Sequence, residues 1–320
     1  MNTKKGSPLN LDTLAQSPQA APTKGSSAGN LKKRARSKYF TQGFVRPLLE
    51  LDSPLNKQYK RAYNCAEVVR VESGKTRTHY CNSRVCNVCN RIRTAKAMNG
   101  YMRHFEGQAS VFITLTAPTV EENELRQAMR QRVNAWNNIR KLIIERMGLP
   151  IQGITKREIT YTNGKYHPHL HIIMMCEGYD LDLLAEFIIQ EWLKRNPTAR
   201  RQAQDHRPTD QESLNEVFKY TTKQAKRKKN VLTVNPQSID VIMRALNKTR
   251  TFQPFGGLRK ISEEINEIEL ISEDEPVNLP DGYYIWNLYD WYHYQTGHAL
   301  SGYNSPLIEF HVQNDEIMQT

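Results

Sequence analysis

Two stretches of this chain alternate polar and apolar residues with period two, Ile154–Thr162 (ITKREITYT) and Tyr166–Met175 (YHPHLHIIMM). Successive side chains of a strand point to opposite faces, so each stretch reads as a β-strand. Asn163-Gly164 sits between them, the sequence of a two-residue type I′ turn. Counting outward from that turn fixes a register: Thr162 opposes Lys165, Thr160 opposes His167, Ile159 opposes Pro168 and Glu158 opposes His169. Ile159, Tyr161, Tyr166, Leu170, Ile172 and Met174 then form one apolar face. Val111–Thr116 is a further strand. Glu122–Met147 and Leu181–Arg195 carry apolar residues at helical spacing, Ala128, Val133, Trp136, Ile139 and Ile143 in the first. The span from Asp210 to Lys228 has no proline or glycine and is expected to be helical. Helices packed on one face of an antiparallel sheet make an α+β fold, with the Asp210–Lys228 helix expected to lie across the other, exposed face.

Composition narrows the class. The chain has 320 residues, 38% of them hydrophobic, and a formal net charge of +12. Without an apolar run near the roughly 18 residues a membrane span needs, a soluble, basic, intracellular protein is expected. Residues 1–38 are rich in Ser, Pro, Ala, Gly and Asn and end in the basic run Lys32–Lys38. They read as a disordered basic arm. Residues 261–320 read as an acidic linker followed by an aromatic-rich segment, Gly282–Tyr294. Helix packing is preferred for those aromatics over stacking on single-stranded bases.

Four of the five cysteines fall between positions 65 and 89. Cys86-x2-Cys89 has zinc-ligand spacing, and Cys81 lies close by. Either Cys65 or His79 would complete a structural Zn²⁺ site. Residues 39–100 are therefore expected to form a small zinc-binding module with a lead-in helix, and 101–260 a separate catalytic domain. Cys176 reads as a buried free thiol.

The second face of the hairpin carries the chemistry. His167, His169 and His171 project together, and the register sets Glu158 beside the last two. Two imidazoles and a carboxylate form a compact divalent-metal site suited to Mn²⁺ and tolerant of Mg²⁺. His167 is left to contact nucleic acid or to support the ligands. Glu216 and Tyr220, four apart, adjoin on the expected helix. Lys219, Lys223, Lys226 and Arg227 surround them, as a phosphate backbone would require. Ser213-x-x-Glu216 also fits a capping box.

Three blocks now appear in order: Phe112-Ile-Thr-Leu-Thr-Ala-Pro118, His167-Pro-His-Leu-His171 and Glu216-Val-Phe-Lys-Tyr-Thr-Thr-Lys223. With Cys81-x4-Cys86-x2-Cys89 before them and Arg250–Arg259 after, the chain resembles the plasmid rolling-circle replication initiators. More narrowly, it is similar to the HUH endonuclease branch with one tyrosine plus a glutamate. The resemblance covers residues 60 to 260. It implies a ferredoxin- or RRM-like domain with a five-stranded antiparallel sheet. It also implies a metal-dependent nickase and strand transferase acting on plasmid origin DNA, as duplex hairpin and as single strand. Tyr220 would attack the phosphodiester, giving a 5′-phosphotyrosine and a 3′-hydroxyl primer, and Glu216 would activate water in the terminating cleavage. Host helicase and polymerase would be partners, in the cytoplasm of a bacterial or archaeal cell.

Other readings remain at this stage. A transposase or relaxase would share fold and chemistry, although conjugative relaxases usually place the tyrosine before the histidines. A histidine-triad nucleotidyl hydrolase or transferase would use His169 and ignore Tyr220. A zinc-ribbon DNA-binding protein would cleave nothing.

Overall fold

The computed structural model describes residues 27–218, 225–228, 231–262, 264–265, 279–304 and 309–313. The chain begins with α1 (Ser27–Leu49), α2 (Asn56–Tyr63), β1 (Val68–Glu72), β2 (Lys75–Thr78) and α3 (Asn87–Phe105). The middle holds β3 (Val111–Thr116), α4 (Glu122–Met147), β4 (Gln152–Thr162), β5 (Lys165–Met175), α5 (Leu181–Arg195), β6 (Asp205–Pro208) and α6 (Gln211–Phe218). Then come β7 (Ala225–Lys228), β8 (Val231–Val234), α7 (Pro236–Leu246), β9 (Phe252–Phe255), β10 (Gly282–Asn287), β11 (Asp290–His293) and β12 (Glu309–Val312). They divide into two compact units.

One unit comprises Lys96–Thr221 and Val241–Ser262. Its centre is a five-stranded sheet of order β6-β3-β5-β4-β9, antiparallel throughout. The β4–β5 hairpin has the register counted from the turn, Thr162 opposite Lys165, Thr160 opposite His167 and Glu158 opposite His169. Asn163 and Gly164 both have positive φ, 51° and 77°, as a type I′ turn demands. Pro168 faces Ile159, and β3 stops pairing with β5 at His169, so the missing N–H falls beyond that ladder. On one face, α4 and α5 bury Trp136, Ile139, Ile143, Ile188 and Trp192 against Ile113, Leu170 and Ile172. Burial of each such side chain contributes about 1.5–3 kcal/mol.

The opposite face has a helix lying across it, as expected, but it is buried and not exposed. Phe112, Ile154 and Ile173 make it apolar as well, and Leu214, Val217 and Phe218 of α6 pack onto them. The run Ile172-Ile-Met-Met175 is apolar on both sides, which is the pattern of a strand buried on both faces. The helix expected over Asp210–Lys228 ends at Phe218 among the described residues, and Ala225–Lys228 is the strand β7. After Phe218 the residues up to Lys229 offer no apolar stripe at helical spacing, whereas Val231-Leu-Thr-Val234 offers a strand partner. At the start of α6, Oδ1 of Asp210 accepts hydrogen bonds from the N–H and the hydroxyl of Ser213. Ser213 is therefore held by the cap and is not itself the cap, and the capping-box account of Glu216 fails.

The other unit comprises Met1–Ala95, Thr222–Asp240 and Glu263–Thr320. It holds a sheet of order β11-β10-β1-β2 and a second of order β12-β8-β7. Two expectations change here. The basic run Lys32–Lys38 lies inside α1 and not in a disordered arm. Leu31, Ala35, Lys38, Thr41, Val45 and Leu48 recur three or four apart and are all buried, a helical stripe that the intervening cations hide from composition. Lys38 is buried too, its ammonium 2.8 Å from the carbonyl of Cys65 and 2.8 Å from Oε2 of Glu67. The aromatic segment is likewise no helix but the hairpin β10–β11, with Tyr284, Trp286 and Trp291 inward at period two. Most of the acidic segment before it lies outside the described residues. No helix among the described residues is long and apolar enough to cross a membrane.

Candidate active site

Glu158, His169 and His171 meet on the α6 side of the sheet, their ligand atoms all within 4.8 Å of one another. Oε2 of Glu158 lies 3.3 Å from Nε2 of His171 and 4.0 Å from Nε2 of His169. Both imidazoles are oriented through the other nitrogen: Nδ1 of His169 donates to the carbonyl of His167 at 3.0 Å, and Nδ1 of His171 lies 3.2 Å from Oγ1 of Thr114. Such partners direct Nε2 inward, as in metal-ligating histidines. Nε2 of His171 is buried and makes no hydrogen bond among the described residues. Burial drives the His169 pKa down to about 3, against the pull of Glu158, so its lone pair is available at neutral pH. His167 is half-buried with its ring 5.2 Å from that of His169, and it is not part of the ligand cluster.

Two cations flank this cluster that the sequence did not single out. Lys156, one strand period before Glu158, is buried with its ammonium 2.9 Å from Oε2 of Glu158. Burial alone would raise the Glu158 carboxyl, but Lys156, with help from both histidines, holds it well below the usual range. The period-two pattern placed Lys156 on this face, and that signal was available. Arg207 of β6 lies with its guanidinium carbon 4.4 Å from the centre of the Phe112 ring, which stacks at 5.4 Å on His171. Nothing in the sequence marked Arg207, because β6 reaches this edge only through its pairing with β3.

Helix α6 brings Glu216 to the same place. Oε1 of Glu216 is 3.7 Å from Nε2 of His171, and its Oε2 is 3.5 Å from Nη2 of Arg207. Its carbonyl accepts a hydrogen bond from the ammonium of Lys156 at 2.7 Å. Lys219, Tyr220 and Lys223 lie outside the described residues. Lys226 and Arg227 fall on β7, in the other unit.

That other unit gathers Cys65, Cys81, Cys86 and Cys89, all buried, with their sulfurs within 4.8 Å of one another. The Cys65–Cys89 and Cys81–Cys89 sulfur separations are 3.7 and 3.5 Å. Those distances are far beyond a disulfide bond and match the roughly 3.8 Å edge of a tetrahedron with ~2.3 Å zinc–sulfur bonds. The neighbouring thiols and burial push Cys65 well above its usual pKa, because so many buried sulfurs cannot ionise together without a cation. His79 is exposed and outside this cluster. Cys176 is a buried free thiol, as expected.

Comparison with known proteins gives this geometry a context. A family model described as "Replication protein" matches residues 74–291, more than half of the chain and a span that contains Glu158, His169, His171, Glu216 and Tyr220. A protein named "Protein rep" from Staphylococcus aureus is 32% identical over 161 residues, covering 45% of this chain and 69% of that protein. Another "Protein rep", from Lentilactobacillus hilgardii, is 29% identical over 153 residues, covering 43% of this chain and 48% of its own length. No solved structure matches significantly. The chain belongs to the replication-protein family. Within it, this is a plasmid replication initiator of the Rep type.

Proposed function

We propose that this protein is a metal-dependent, site-specific DNA nickase and strand transferase that starts rolling-circle replication at a plasmid double-strand origin. Glu158, His169 and His171 would hold a Mn²⁺ or Mg²⁺ ion. Both Nε2 atoms and the carboxylate face one small volume, and the buried, unbonded Nε2 of His171 suits that role. A bound divalent ion would polarise and orient the scissile phosphate.

The remaining steps belong to the chain itself. The phenol oxygen of Tyr220 attacks phosphorus, the phenol losing its proton. An Oη–P bond forms and the P–O3′ bond breaks, the departing 3′ oxygen taking up a proton to become the primer hydroxyl. The 5′-phosphate stays on the tyrosine. In the terminating cleavage Glu216 accepts a proton from water as the water oxygen bonds to phosphorus; the P–O3′ bond breaks, the 3′ oxygen takes up a proton, and the 5′-phosphate is left free and not on a second tyrosine. Arg207, 39% exposed at its side chain, neutralises phosphate charge beside Glu216. His167 and the cations Lys219, Lys223, Lys226 and Arg227 are assigned to DNA contact. The four cysteines would hold Zn²⁺ as a structural ion. Plasmid origin DNA, as hairpin and single strand, is the substrate, with host helicase and polymerase acting after the nick.

The observation that supports this reading most is the placement of Glu216 3.7 Å from His171, on a helix described over Gln211–Phe218, four residues before Tyr220 in the sequence. The test is a labelled single-stranded origin oligonucleotide incubated with Mn²⁺. Tyr220→Phe is expected to abolish the covalent protein–DNA adduct while leaving binding intact. An adduct that persists in that variant would assign the nucleophile elsewhere.

A further inference from the structure

The sheet β11-β10-β1-β2 has one face that its core explains and one that it does not. Val69, Val71, Tyr284, Trp286 and Trp291 point inward and are buried. A sheet packed on one side normally turns polar residues outward. Here the outward positions include Tyr283, Ile285 and Val68, 49%, 48% and 43% exposed, and Tyr294 beside them at 55%. The register makes them one patch: Val68 pairs with Ile285, Ile285 with Tyr292, and Arg70 with Tyr283. The backbone N–H of Tyr294 donates to the carbonyl of Tyr283, and the two rings lie 6.4 Å apart, edge to face. Contiguous exposed apolar surface of this kind marks an interaction site.

Charge selects the occupant. Arg70 lies 6.0 Å from the Tyr283 ring centre, Arg77 pairs across from Arg70, and Lys75 pairs with Glu72. Nη2 of Arg70 lies 3.0 Å from Oε1 of Glu72, and Asp281 adds a second carboxylate that accepts from the N–H of Ser73. Three cations against two carboxylates, interleaved with tyrosines on an open sheet, suit a polyanion whose flat bases are free to stack. Duplex DNA hides its base faces. A protein partner would leave the arginines to be neutralised by its own acids.

We infer that this sheet face, through Tyr283, Tyr294, Ile285, Arg70 and Arg77, is a single-stranded DNA binding platform separate from the candidate nicking site. The bases stack on the tyrosines, and the arginines meet the phosphates. The inference rests on membership of a replication-protein family and on this surface, not on the nicking reading.

The test uses the full chain and a fluorescein-labelled oligothymidylate without any origin sequence, with no divalent ion added, read by fluorescence anisotropy. Tyr283→Ala and Tyr294→Ala are each expected to weaken binding roughly tenfold, and Tyr283→Phe to bind as the parent does. Arg77→Ala should lower the log–log salt slope by about 0.7. The probe carries no origin sequence and no divalent ion is added, so this readout does not depend on cleavage and separates this inference from failure of the nicking assignment. Thermal melting of each variant identifies any that misfold, and the phenylalanine and arginine variants then carry the comparison. Unchanged affinity in both alanine variants would overturn the platform. So would equal loss on a duplex of the same length, or self-association of the parent in sedimentation that both alanine variants lose with affinity intact, which would make a second copy the occupant.

Discussion

The ammonium of Lys156 lies 2.9 Å from Oε2 of Glu158, with neither side chain reaching solvent. The same ammonium donates to the carbonyl of Glu216, so one lysine balances the buried Glu158 carboxylate and ties the last turn of α6 to the sheet. Lys156→Met keeps the length and removes the charge, leaving Glu158 as a buried anion. Loss of one partner of a buried pair costs about 3–5 kcal/mol. Thermal melting of this variant is expected to fall by many degrees without metal and to recover in part when Mn²⁺ is added. A melting curve superposing on the parent's in both conditions would rule the pair out as a stabilising element.

Burial sets the pH dependence of the same cluster. The folded His169 imidazole stays neutral down to about pH 3, whereas an unfolded histidine takes up a proton near ~6.5. Between those values the unfolded chain binds more protons, so stability falls as pH drops below about 6.5, by up to ~1.4 kcal/mol per pH unit for this group. Glu158 acts lower. Its carboxylate, held below the usual range by Lys156 against the cost of burial, contributes stability that is lost only under more acid conditions. Urea unfolding of the metal-free protein between about pH 7 and pH 5 should show the His169 slope, and His169→Gln should flatten it. An identical slope in the variant would place the effect in another group.

The cysteine cluster decides between two sequence-level alternatives. Cys65 completes the buried group and His79 does not. Elemental analysis is expected to give one zinc per chain for the parent and for His79→Ala, and none for Cys65→Ser. A structural zinc contributes on the order of 10 kcal/mol to a small module, so chelation should unfold this unit. Zinc retained by Cys65→Ser and lost from His79→Ala would reverse the assignment.

Glu216→Gln preserves size and removes the carboxylate proposed as the base. Nicking of the labelled origin strand with adduct formation is expected to survive within several-fold, while the water-dependent terminating cleavage is slowed about 10²–10⁴-fold. Adduct formation and terminating cleavage falling together would make Glu216 a support for His171 and Arg207 and not a base.

Local rules carried the hairpin and both long helices. The Asn163-Gly164 turn and the period-two alternation placed Glu158 opposite His169 in a register that the β4–β5 pairing repeats. Periodicity fails where a segment's partner is distant. The Ala225–Lys228 segment reads as helix in isolation and forms a strand because β8 is there to pair with it. The aromatics of Gly282–Tyr294 suit either period, and pairing of β10 with β1 settles them as strands. In α1, the charges of Lys32–Lys38 obscured a buried stripe that needs the rest of its unit to become visible.

The chain alone determined the turn, the face shared by the histidines and Glu158, and the closeness of Cys81, Cys86 and Cys89, because each depends on neighbours within a few residues or on one hairpin. Tertiary structure alone decided that this face is buried, that Arg207 reaches it from β6, and that Glu216 meets His171. Those contacts join segments far apart in sequence, and they form where apolar burial on both sheet faces outweighs what any local pattern encodes.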